Sequence, residues 1–149
     1  MNNRQRQRAR GRGPKFTNLE LWNLDAVLAR VIAAGLRQFI AMHRHTYATE
    51  TPEKWEATLR ELLWTFTEIA DDFPGDPYNA WFNTEYAKLE ADPDWQMFMT
   101  TPAEDGCHHV TKWNFPDCPQ TVLAAQKVYY DRVKAGVNLF AEHLFDLWD

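Results

Sequence analysis

The sequence predicts an all-α protein: three main helices in a compact bundle, short accessory helices and a disordered basic N-terminal arm. Three observations carry this. Apolar residues recur at three- and four-residue spacing over three long stretches. Each stretch opens on a capping residue or closes on proline and glycine. The alternation of a half-buried strand is absent from the body. Aromatics make up 14% of the 149 residues, with seven Trp, enough apolar bulk for one domain with an ordered core.

Residues 1–15 form the arm. They hold Arg4, Arg6, Arg8, Arg10, Arg12 and Lys15 and no acid. The net charge of −5 therefore hides a split: the other ten cations face 21 acids, leaving about −11 on residues 16–149. Gly11, Gly13 and Pro14 oppose a helix here. In an extended chain the five arginines share one face, because side chains alternate with period two. Such an arm suits an anionic partner: nucleic acid, or an acidic protein surface.

Residues 16–149 are expected to form a single helical domain. Its first helix is expected to begin at Thr17, where Thr17-Asn18-Leu19-Glu20 has capping-box spacing, and to run unbroken to about Arg44. Leu21, Leu28, Ile32, Leu36 and Phe39 make its apolar stripe. Thr51-Pro52 opens the second helix as cap and first position. Its stripe is Trp55, Leu59, Leu62, Phe66, Ile69 and Phe73, and Pro74-Gly75 stops it. The last helix is expected from about Thr121 to Trp148.

Residues 74–120 hold six of the eight prolines. Asp76-Pro77 is expected to cap a short helix carrying Tyr78, Trp81, Phe82, Tyr86 and Leu89. Asp92-Pro93 is expected to start a further turn. The remainder reads as an ordered aromatic connection with little regular structure. Its rings are expected to cover the core rather than stack on bases, since eight acids and only Lys88 and Lys112 lie among them.

Three segments, residues 19–39, 53–66 and 133–149, resemble a family of small helical proteins encoded by tailed bacteriophages. The shared features are a W-x-L-D start (Trp22, Leu24, Asp25), a first helix ending in L-x-x-F (Leu36, Phe39), a second helix opening on Trp55, and a terminal G-x-x-L-F…L-W (Gly136, Leu139, Phe140, Leu147, Trp148). The resemblance covers about half the chain and leaves out the arm and residues 74–120. It implies a phage source and a helical fold, and transfers no catalytic residues.

Few residues suggest chemistry. Asp25 falls within about 40° of Leu21, Ile32, Leu36 and Phe39 on a helical projection, which aims a carboxylate at the core. A buried carboxylate needs a partner. His43 is too far along the same helix, roughly 27 Å at 1.5 Å per residue. His143 on the last helix is the expected partner, in a buried polar pair. Cys107, His108, His109 and Cys118 form a weak zinc candidate: the residue types fit, but the spacing matches no standard finger or ribbon. Serine is absent, and the glycines are too scattered for a phosphate loop.

Two cysteines make no disulfide framework, and neither a leader nor a membrane span is expected. These features point to a non-enzymatic binding protein in the host cytoplasm or the virion. Its helical body is expected to dock on a protein partner or on itself, with nucleic acid or an acidic surface contacted through the arm, as a virion or assembly component. An early accessory protein inhibiting a host nucleic-acid enzyme or defence system is the alternative, and a zinc-containing module or enzyme the distant one. No small-molecule substrate is indicated.

Overall fold

The computed structural model describes residues 17–42, 51–102 and 108–148; the side chains of residues 101–102, 108–111 and 148 are outside this set. The chain is mostly helical, as expected. It divides into two compact units, residues 73–138 forming one and the flanking segments the other.

The flanking unit begins with α1 (Asn18–Trp22) and α2 (Leu24–Ala41). The capping box forms: Glu20 N–H donates to the Thr17 hydroxyl (3.3 Å), and Thr17 N–H donates to Glu20 Oε2 (2.7 Å). The expected single helix is broken at Asn23, which leaves helical geometry at φ −118 and ψ 40. Asparagine competes locally for backbone hydrogen bonds, and α1 buries no residue that would hold the helix straight.

Helix α3 (Pro52–Ala70) starts as expected, with the Thr51 hydroxyl accepting from Lys54 N–H. It supplies most of the core: Trp55, Leu59, Leu62, Phe66 and Ala70 are buried, together with Thr65. Against them α2 buries only Ala29, Ala33 and Leu36. Phe140 meets the Phe66 ring edge-on, with centroids 4.8 Å apart. Arg37 Nη2 donates to Thr67 Oγ1 (3.2 Å), adding a polar tie between α2 and α3. Helix α3 stops at Asp71, short of the expected Phe73, because Asp72 and Phe73 both turn left-handed at φ 60 and 57.

The second unit contains α4 (Pro77–Glu90), the strands β1 (Phe98–Pro102) and β2 (His108–Trp113), and residues 120–138 of α5 (Gln120–Glu142). Asp76 caps α4, its Oδ1 accepting from Tyr78 N–H (2.8 Å). The same carboxylate accepts from Gln126 Nε2 (3.1 Å to Oδ2) and from the Tyr130 hydroxyl (3.2 Å) on α5. It is only 2% exposed. One side chain thus starts α4 and fastens it to α5.

The strands correct the strand-free expectation for residues 96–113. They pair antiparallel from Phe98↔Trp113 and Met99↔Lys112, then slip by one residue at a bulge to Thr100↔Val110. The bulge spoils the period-two pattern, which is why the sequence conceals the pair. Asp92-Pro93 starts a turn, as expected, with the Asp92 carboxylate accepting from Asp94 N–H. Helix α5 ends at Glu142, and a turn leads to the 3₁₀ turn Asp146–Trp148, correcting the expected continuous helix. His143 N–H still bonds Leu139 C=O, but Asp146 N–H bonds His143 C=O in the tighter pattern.

Two substitutions test this packing. Asp76→Ala removes a cap and the buried acceptor shared by the part-buried Gln126 and Tyr130, and should cost about 1–3 kcal/mol in denaturant unfolding. Thr65 is fully buried, with its hydroxyl lacking a partner among the described residues. Thr65→Val should be neutral or stabilise by about 1 kcal/mol in the same assay.

Candidate functional site

The arm residues Arg4, Arg6, Arg8, Arg10, Arg12 and Lys15 lie outside the described residues, as does Cys107. His108 and His109 belong to the β2 backbone. Cys118 is half-buried and in no disulfide, and desolvation pushes its thiol up, away from the thiolate that metals and electrophiles require. Among the described residues no group of three His, Cys, Asp or Glu gathers to hold a metal. No described helix is long and apolar enough to cross a membrane.

The expected Asp25–His143 pair does not form. Asp25 is exposed, and His143 Nδ1–H faces Asp146 Oδ2 at 2.8 Å instead. The His143 ring packs edge-on against Trp55, with centroids 5.4 Å apart. Helix α2 is rolled from the expected orientation: its core face is centred on Ala29, Ala33 and Leu36, roughly 80° from the centre of the expected stripe at 100° per residue. Asp25 stays on the core side of the helix, but it lies in the first turn, one turn before Ala29, the first buried residue of α2, and is exposed there.

The same roll turns large apolar residues outward. Leu28 is 48% exposed and Val31 67%, with Leu24 and Met42 beside them on one face. On α1, Trp22 is 87% exposed. Gly35 lies in the middle of this face, and among the described residues a methyl group added there would meet nothing within 4 Å. Beside it runs an apolar groove of about 240 Å³ lined by Ile32, Gly35, Leu36, Phe140 and Leu147. The sequence signal for this face is that α2 carries two interleaved apolar stripes and only three charges, Asp25, Arg30 and Arg37.

The second unit gathers its rings on themselves. Tyr78, Phe82 and Tyr86 run along α4 in two stacked pairs. Phe115 stacks on Phe82 (4.6 Å) and meets Trp81 edge-on (5.6 Å). Trp95 packs edge-on against Tyr86 and donates its indole N–H to Asn114 C=O (3.0 Å). These rings form a cluster within the second unit, and none of them belongs to the α2–α3 core that they are expected to cover. Phe98 and Trp113 pair across the strands with centroids 4.9 Å apart and stay about half-exposed.

No protein-family model, curated protein or solved structure matches the chain. What the geometry offers is therefore read from the chain itself. It holds no assembled catalytic constellation among the described residues, and it presents an uncharged apolar face on α1 and α2.

The α1 end of that face is pH-sensitive. Hydrogen bonds from the Thr17 backbone N–H, then from its hydroxyl, hold the Glu20 carboxyl below its usual range. A lowered carboxylate value means that its contribution to the cap is full above the unfolded value and is lost as pH falls through the folded one. An NMR titration should place the Glu20 midpoint below about 4.3. The α1 amide shifts should move with it, and Thr17→Ala should return the midpoint toward that value.

Proposed function

We propose that the chain is a non-enzymatic binding protein of a tailed bacteriophage, acting as a virion or assembly component. Its helical body docks on a protein surface through α1 and α2, and its arginine arm tethers the complex to nucleic acid. The observation that carries the docking half is the exposed apolar stripe of Leu24, Leu28 and Val31 along α2, with Trp22 exposed on α1. Leaving such residues in water forgoes about 1.5–3 kcal/mol of burial each, and contiguous exposed apolar area marks interaction sites. The arm half is supported by the charge split. Six cations precede an acidic body, and five arginines at every second position match an extended polyanion. The phage assignment rests on the segment resemblance.

The arm is tested by duplex DNA binding across a salt series. The full chain should show a slope of log K against log salt of roughly −4 to −5, for about five phosphate contacts, with little sequence preference. A chain lacking residues 1–15 should lose that binding. Affinity indifferent to both salt and the arm would remove nucleic acid from the reading. Detection of the protein in purified particles tests the assembly role, and its absence there would refute that role.

A further inference from the structure

We infer that α2 pairs antiparallel with α2 of a second copy of this chain. This rests on the proposed reading that the helical body docks on a protein surface, and it names the partner. One exposed stripe of α2 and its C-cap runs through Leu24, Leu28, Val31, Gly35, Gln38 and Met42, spaced 4, 3, 4, 3 and 4 residues apart. That is the seam of a two-helix coiled coil, separate from the core stripe of Ala29, Ala33 and Leu36.

Three features select a second copy. First, the seam is self-complementary. In an antiparallel pair centred on Ala33, Leu24 meets Met42 of the second copy, Leu28 meets Gln38 and Val31 meets Gly35. Every layer then sets a seam position against its opposite type, and the bare Gly35 receives the protruding Val31. A parallel pair sets Gly35 against Gly35 and leaves a gap. Second, no described neighbour requires glycine at position 35. It sits mid-helix, where glycine is unfavourable, and among the described residues nothing lies within 4 Å of the place a methyl would take. Close approach by another backbone gives it a use. Third, the charges permit self-pairing. None of the six seam residues is charged, although the body is strongly acidic, and antiparallel helices oppose their dipoles favourably. Leu24, Leu28, Val31 and Met42 are 36%, 48%, 67% and 55% exposed, so each has apolar surface left to bury in such a pair.

The test is sedimentation velocity of the full chain over a wide concentration range. The expected result is a reversible monomer–dimer equilibrium. Val31→Asp, at a site 67% exposed, should abolish the dimer while helix content by circular dichroism stays unchanged. Gly35→Ala should act in opposite directions on the two states: a higher melting temperature for the dilute monomer, and a dimer weakened roughly tenfold. For the register, chains with Cys107 and Cys118 replaced by serine carry either Val31→Cys or Gly35→Cys. On oxidation the mixture should cross-link 31 to 35 far faster than either chain alone links to itself. Four results would overturn the inference: a monomer at every concentration, a Val31→Asp dimer as tight as wild type, an undiminished Gly35→Ala dimer, or preferential 31–31 links. The salt-dependent DNA assay reads the arm independently. A monomer that still binds DNA through the arm thus refutes the pairing alone, and loss of DNA binding with an intact dimer refutes the arm alone.

Discussion

The flanking unit depends on an unequal division of bulk between α2 and α3. Helix α3 fills the core with Trp55, Leu59, Leu62 and Phe66. Such side chains need a facing helix whose surface is small, because interaxial distance follows the residues at the contact. Ala29 and Ala33 meet that need, and they fix the roll of α2. Once the roll is set, the remaining features follow. Ile32, Phe39 and Ile40 flank the core as partly buried neighbours, and Leu28 and Val31 point outward. Turning α2 to bury Leu28 and Val31 would drive large side chains into an α3 surface that is already large. Overpacking of that kind costs about 1–3 kcal/mol, comparable to the burial it would recover.

The second unit solves a different problem. Residues 73–138 are rich in proline and hold little helical periodicity outside α4 and α5. Their order comes from directed contacts. Asp76 accepts from Tyr78, Gln126 and Tyr130, so its carboxylate exchanges water for protein donors at a helix N-terminus that favours negative charge. Asn114 ties the chain after β2 to the chain before β1, its backbone N–H donating to Met97 C=O and its amide to Gln96 C=O. Phe115, 8% exposed, then closes the cluster against α4. Two strands alone are marginal in water, and the ring cluster supplies the hydrophobic face they lack.

Much of this was legible in the sequence, and the failures share a cause. Caps at Thr17, Thr51 and Asp76 are read correctly because a cap depends on three or four adjacent residues. The α3 stripe is read correctly because its large residues and its core residues are the same. The α2 stripe is read in part: Ile32, Leu36 and Phe39 do pack on the core, while Leu21 and Leu28 face out, because periodicity ranks residues by hydrophobicity and overlooks the buried Ala29 and Ala33. The Asp25–His143 pairing fails because a projection down the helix axis does not say which turns are covered. Helix ends at Asn23, Asp71 and Glu142 are missed because each is set by backbone geometry at one or two residues. The strands are hidden by their bulge and are held by rings distant in sequence. The exposed face on α2 was visible as a second stripe, but a single-sequence pattern gives no reason to turn the larger side chains outward.

Charge decides which surfaces of such a chain are open to association. At about −11, two bodies repel at long range, with the repulsion screened beyond roughly 8 Å at physiological ionic strength. An apolar face studded with acids would carry that repulsion into the contact itself. The α2 seam does not, because its three charges fall off the seam: Arg30 and Arg37 on the far side, and Asp25 near one end. The arm works in the opposite sense. Its six cations gain from a polyanion by releasing counterions, and salt removes that gain while easing repulsion between the bodies. The two associations therefore answer salt with opposite sign. That opposition follows from placing every cation of the first fifteen residues ahead of an acidic fold whose outward apolar helix face is neutral.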